Sequence, residues 1–139
     1  MLITIGPADA DIVRRWTDHL LASLEVLRAR RALLPFRLPD EAIDGFAALL
    51  TEWRQHAEGA TEFLWSADLD PEHVRMLVQY WANLDSMDEE LLARLGLTWS
   101  PEGTRPFFEA VALGIALAFE HEGDESPFAR HLAERGREG

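Results

Sequence analysis

The chain has 139 residues, of which 47% are hydrophobic, and a formal net charge of −12 at pH 7. It contains no cysteine and no lysine, which excludes thiol nucleophiles, disulfides, thiolate metal sites, Schiff-base lysines and the lysine of a P-loop. The apolar content is enough for one hydrophobic core. No repeat or low-complexity tract divides the sequence, so we predict a single domain over residues 1–139.

The negative charge is concentrated in residues 38–90, which hold 13 acidic residues and only two arginines, Arg54 and Arg75. In the stretches on either side, the numbers of acidic and basic residues are much closer to each other, so the negative charge is concentrated in one part of the chain. An acidic surface repels a phosphate backbone and attracts basic proteins. We therefore expect a basic protein partner and no nucleic acid.

Proline and glycine punctuate the chain, and helical periodicity fills the intervals between them. The first predicted helix covers residues 8–30, with acidic residues near its start and arginines at its end, as the helix dipole favours. Its apolar side chains fall on one stripe, formed by Ile12, Val13, Trp16, Leu20, Leu24 and Leu27. Residues 2–5 are predicted to form a short strand, and residues 62–65 are its expected partner.

Further helices follow the same rules. Residues 39–58 are predicted to form the second helix, and Asp70 is the predicted N-cap of the third. The fourth is short, starts at the capping-box pattern of residues 86–89, and ends at Gly96. A last helix is predicted over residues 125–135.

The fifth helix, residues 104–121, has apolar side chains in every direction, which is typical of a buried helix. We therefore predict an all-α fold, a compact bundle of five or six helices around this central apolar helix, with a short N-terminal strand. Ala110, Gly114 and Ala118 form a ridge of small side chains on it. The ridge predicts the close approach of another helix, either from the same chain or from a second subunit.

Three residues on these helices are candidates for ligand binding. Glu52 and His56 lie one turn apart on the second helix, where they would act as two ligands, as an acid–base couple, or as a surface contact. Glu109 has mostly apolar neighbours, and if buried it would exchange a proton inside a pocket. The alternative is that Glu109 lies with Arg105 on a narrow wet strip. The histidine spacing predicts no metal site, and no cofactor is expected.

The acidic stretch carries the functional prediction. We expect a non-enzymatic protein-interaction or regulatory domain whose acidic face binds a basic partner, with Asp68, Asp70 and Glu72 as contact residues. A homo-oligomer through the small-residue ridge is the other expected assembly. The alternative function is a helical protein that binds a small apolar ligand in a pocket, with Glu109 or a histidine as the polar anchor. Catalysis by Glu109 or a histidine comes third.

The location of the protein follows from its apolar segments. The N-terminal segment has no basic flank and too short an apolar run for a signal peptide. The longest nearly apolar run falls short of the roughly 20 residues that a membrane span needs. We therefore expect a cytoplasmic protein with no membrane partner.

Overall fold

The computed structural model describes residues 1–87, 89–97 and 103–123. Helices account for 69% of these residues, and a two-stranded antiparallel sheet is also present. In chain order the elements are β1 (Leu2–Asp9), α1 (Ala10–Arg30), a single 3-10 turn (Arg31–Leu33), α2 (Asp40–Ala57), β2 (Glu62–Asp68), α3 (Pro71–Asp85), α4 (Glu89–Leu95) and α5 (Arg105–His121). The mostly helical fold is confirmed, and the last predicted helix, residues 125–135, lies outside the described residues.

The predicted pairing of the two strands is confirmed, and the sheet is longer than predicted. β1 and β2 run antiparallel, with Ile3 opposite Ala67 and Ile5 opposite Trp65. Side chains alternate between the two faces of a strand. The face that carries Ile3, Ile5 and Trp65 is buried on the helices, and the other face is exposed.

β1 continues further than the sequence predicted. Asp9 is still in the strand and also caps α1, because its Oδ1 accepts the backbone N–H of Asp11 at 2.9 Å. Helix α1 therefore begins at Ala10 rather than at residue 8. The strand is irregular at Gly6, where φ is +111° and a Cβ would overlap the carbonyl oxygen of Phe63. Glycine is required at this position on both grounds.

Aromatic side chains from four helices meet around Trp16 in the core. Trp16 of α1 stacks on Trp81 of α3 with ring centroids 5.1 Å apart, and Phe107 of α5 meets it edge-on at 5.0 Å. Trp53 of α2 lies 6.2 Å from the Trp16 ring. All four side chains are buried. These tryptophans therefore pack the core, as their positions on the helical stripes predicted.

Helix α5 packs on β1 with one face and exposes the other. Leu113 and Leu117 are 59% and 54% exposed, so the prediction that α5 is a central helix is not confirmed among the described residues. The small-residue ridge packs within the chain, but its partner is a strand rather than a helix. A Cβ on Gly114 would overlap the carbonyl oxygen of Thr4 and lie 3.2 Å from Cγ1 of Ile5. Close packing against a strand backbone requires small side chains, just as close packing against another helix does.

Ion pairs join the end of α1 to the start of α2. Arg28 contacts Asp44 at 2.6 Å and Asp40 at 3.0 Å, and Arg31 contacts Asp40 at 2.5 Å. The hydrogen bond from Arg31, followed by the charges of Arg31 and Arg28, holds the pKa of Asp40 below its ordinary value. The ionised form of Asp40 therefore contributes to stability.

Candidate functional site

Strand β2 pairs with β1 and with no other strand among the described residues. The carbonyl of Phe63 lies against Gly6 of β1, whereas the carbonyl of Leu64 points the other way, to His56 of α2. The N–H and C=O of a strand residue point to the same side, and the side alternates along the strand. The N–H groups of Leu64 and Ser66 and the carbonyl of Ser66 therefore also point away from β1. Together, the outward backbone groups of Leu64 and Ser66 form the β2 edge.

The other edge of the sheet is covered. The outward carbonyl of Thr4 on β1 lies directly against α5 at Gly114. In the part of the chain that the structure describes, no other strand pairs with the β2 edge, and His56 of α2 forms a hydrogen bond with it. Because unpaired strand edges are templates for further pairing, the sheet has one side on which it can be extended.

His56 bonds to the β2 edge rather than to Glu52. Its Nε2 lies 2.7 Å from the carbonyl oxygen of Leu64, and because a carbonyl only accepts, Nε2 carries the proton. Its ring meets Phe63 edge-on at 5.5 Å. Glu52 is exposed one turn earlier, and no ion pair with His56 is found among the described residues. The structure therefore does not assemble these two side chains into an acid–base couple or a ligand pair.

Asp68, Asp70 and Glu72 lie where β2 ends and α3 begins, and all three are exposed. Each has a local partner. Asp68 accepts a hydrogen bond from the Met1 amino group at 2.7 Å, Asp70 caps α3 by accepting the N–H of Glu72 at 2.9 Å, and Glu72 pairs with Arg75. The predicted role of Asp70 as N-cap is confirmed, so this residue has a structural function whatever its part in binding.

Two further carboxylates flank the β2 edge. Glu62 begins β2 opposite Asp9 of β1, and alternation places its side chain on the same exposed face as Leu64. Glu52 lies beside the edge because it is one helical turn from His56. Neither Glu52 nor Glu62 forms an ion pair with any described residue. With the three carboxylates at the start of α3 they form the acidic rim: Glu52, Glu62, Asp68, Asp70 and Glu72.

Glu109 lies at the surface of α5. Its side chain is 65% exposed, and its Oε1 lies 3.9 Å from Nε of Arg105. The buried placement that would make it a polar anchor is contradicted, and the wet-strip alternative describes its position. The physical reason is the exposed outer face of α5, which the apolar sequence around Glu109 concealed.

A small apolar cavity lies between the sheet and helices α2, α3 and α5. Its volume is about 30 Å³, room for one or two water molecules, whereas small-molecule sites measure roughly 300–1,000 Å³. Glu52, His56 and Glu109 do not line it. The indole N–H of Trp53, on its wall, has no hydrogen-bond partner among the described residues. This cavity is therefore too small for a ligand of ordinary size.

Two absences hold for residues 1–87, 89–97 and 103–123. No group of three or more histidine, aspartate or glutamate side chains there is placed to hold a metal ion. No helix in these ranges has the length and apolar content to cross a membrane. The chain was also compared with protein-family models, curated proteins and solved structures, and nothing matches it.

The sequence analysis missed the β2 edge as a functional feature. Polar Glu62, Ser66 and Asp68 alternate with apolar Phe63, Trp65 and Ala67, and Leu64 is the exception. This was the available signal, since period-two alternation marks a half-buried strand. The predicted strand stopped at residue 65, before Ser66. Which edge of the strand stays open is a tertiary property, because it depends on where α5 and α2 pack.

Proposed function

We propose that this protein is a non-enzymatic interaction or regulatory domain that binds a basic protein partner through the acidic rim. The observation that carries this proposal is the position of the rim. Its five carboxylates are all exposed, and they belong to β2, to the start of α3 and to the helical turn before His56, which bonds to the β2 edge. Backbone groups of this edge lack a strand partner among the described residues. Charge there attracts a partner, and the edge offers it directional contacts.

The local balance of charge supports the proposal. The Met1 amino group pairs with Asp68, and Arg75 pairs with Glu72, whereas Glu52 and Glu62 have no cationic partner in the described residues. Exposed ion pairs of this kind are weak and exchange easily. A basic partner therefore gains new pairs at Glu52 and Glu62 and competes for the others.

The proposal is tested with a defined probe and two matched double variants. The probe is a seven-residue peptide of alternating arginine and threonine with blocked ends, and its affinity is measured by fluorescence anisotropy. The test variant is Glu52→Gln with Glu62→Gln. The control variant is Glu25→Gln with Glu120→Gln, which removes the same charge from exposed positions on α1 and α5 that do not belong to the rim.

We expect the rim variant to bind the probe several-fold more weakly than the control variant. Affinity for the unchanged protein should fall as the salt concentration rises from about 0.05 to 0.5 M, because the Debye length shrinks from roughly 14 to 4 Å. Equal affinities of the two variants for the probe would show that the carboxylates of the rim do not bind it. Equal binding of a peptide with glutamate in place of arginine would reject an acidic binding face altogether.

A further inference from the structure

We infer that the partner binds as an extended strand, added antiparallel to the β2 edge, with basic residues opposite the two ends of β2. The basic charge of the bound segment depends on the proposed function, whereas its extended conformation is inferred from the geometry of the sheet. The inference names both the mode of binding and the chemistry of the bound segment.

The backbone groups of β2 are oriented to bind an added strand. The carbonyl of Leu64 already accepts a hydrogen bond from outside the sheet, at 2.7 Å from His56, so the β2 edge is oriented and accessible to a donor. The N–H groups of Leu64 and Ser66 point the same way. An added strand satisfies these groups with main-chain hydrogen bonds and takes the place that the exposed imidazole of His56 occupies in the free chain. The opposite edge of the sheet is closed by Gly114 of α5.

The side chains of β2 define the sequence of the added strand. Glu62, Leu64, Ser66 and Asp68 alternate onto the exposed face. In an antiparallel pair, the residue opposite each of them lies on the same face within contact distance. The bound segment therefore has basic residues opposite Glu62 and Asp68, an apolar or β-branched residue opposite Leu64, and a small polar residue opposite Ser66.

A second copy of this chain fits the edge poorly in the register that pairs the whole of β2. An antiparallel pairing of two β2 strands centred on Trp65 would place Glu62 of each copy opposite Asp68 of the other. Like charges directly opposite each other destabilise a strand pair. The charge of β2 thus favours a basic segment of a different protein over self-association through this edge.

The test uses a peptide designed from this register, with arginine, three threonines, valine, threonine and arginine in order and with blocked ends. Antiparallel pairing sets its two arginines opposite Asp68 and Glu62, its third residue opposite Ser66 and its valine opposite Leu64. The N–H groups of its third and fifth residues then face the β2 edge, whereas those of the fourth and sixth face away. Two N-methylated versions, one at the third and fifth residues and one at the fourth and sixth, have the same charge and the same number of methyl groups.

Strand addition predicts that methylation at the third and fifth residues weakens binding by about tenfold or more, because two hydrogen bonds are lost. Methylation at the fourth and sixth residues should leave the affinity within about twofold of the unmodified peptide. If both methylated peptides bind as well as the unmodified one, the strand geometry is overturned while the acidic face stands. If the peptide with glutamates in place of arginines binds equally well, the proposed function itself fails.

A pair of protein variants gives an independent readout. Ser66→Pro removes an N–H that points away from β1, a position that proline tolerates on an edge strand, and Ser66→Ala retains that N–H. Both lose the side-chain hydrogen bond to Thr4 at 2.8 Å, so the alanine variant is the matched control. With thermal melts confirming that both fold, we expect Ser66→Pro to bind the designed peptide about tenfold more weakly than Ser66→Ala. Equal affinities of the two variants for the peptide would overturn the inference. If the proline variant does not fold, the methylated peptides test strand addition without it.

Discussion

Gly114 lies so close to Thr4 that a Cβ on the glycine would overlap the threonine carbonyl oxygen. This contact seats α5 on the backbone of β1 and covers that edge of the sheet. The ridge of small residues on α5 therefore has a specific role, which is to let a helix pack directly on a strand. As a consequence, α5 covers the β1 edge of the sheet, whereas no described strand pairs with the β2 edge.

The first prediction compares two glycine-to-alanine changes in helices. Gly114→Ala should destabilise the domain by about 1–3 kcal/mol, because the methyl group overpacks the contact with β1. Gly45→Ala in α2 is the matched control, since its Cβ would meet His73 and Leu77 at an ordinary 3.4 Å. That change should be neutral or stabilising by up to about 1 kcal/mol, through helix propensity. Urea denaturation measures both, and equal effects of the two changes would contradict close packing at Gly114.

The second prediction concerns Arg14, which ties α1 to the end of α2. Its Nη1 donates to the carbonyl oxygens of Ala57 at 2.6 Å and Ala60 at 2.9 Å. Arg14→Met keeps the aliphatic stem and removes these bonds, so it should lower the free energy of unfolding by about 1.5–3 kcal/mol. Arg15→Met is the neighbouring control, because Arg15 is exposed and pairs with Asp11 at 3.4 Å, and it should cost less than about 1 kcal/mol. If Arg14→Met lowers the free energy of unfolding by no more than Arg15→Met does, the hydrogen bonds of Arg14 do not stabilise the contact between α1 and the end of α2.

The third prediction is a dependence on pH at Asp40. The hydrogen bond from Arg31 lowers the pKa of Asp40 from 3.8, so the ionised carboxylate stabilises the folded chain above that pH. This contribution is lost as the pH falls through the folded-state pKa. Asp40→Asn should therefore destabilise the domain at pH 7, and this effect should shrink as the pH falls through the folded-state pKa of Asp40.

The control for this prediction is Glu41→Gln, which removes a charge from the same first turn of α2. Both substitutions lose the favourable interaction with the helix dipole. The difference between them, followed by chemical denaturation across the pH range, isolates the pairing with Arg28 and Arg31. A difference that stays constant from neutral to acid pH would assign the effect to something other than the ionised carboxylate.

The fourth prediction separates capping from charge at the start of α3. Asp70→Ala should cost about 1 kcal/mol because the N–H of Glu72 loses its acceptor, whereas Asp70→Ser keeps an N-cap oxygen and should cost much less. Thermal unfolding of the two variants makes the comparison. Equal losses would mean that the charge of Asp70, rather than its hydrogen bond, stabilises this junction. Asp70 is accordingly a poor site for charge reversal in binding experiments.

Interactions between near neighbours were accessible from the sequence. Asp70 before Pro71 predicted the start of α3, and the spacing of apolar residues placed Trp16 and Trp81 in the core. Both features depend on residues within about one or two helical turns, so the local pattern contains the information. The concentration of carboxylates in residues 38–90 was equally evident, because charge is a property of composition.

Features that depend on distant parts of the chain needed the tertiary structure. Glu109 is exposed although its neighbours are apolar, since α5 packs with one face only. His56 bonds to Leu64 instead of Glu52, because β2 returns alongside α2. The sequence by itself predicted five of the helices, the acidic stretch and the positions of two strands. Only the tertiary structure decided which strand edge is open and which carboxylates surround it, because that choice is made when α5 closes on β1 through Gly114 and Thr4.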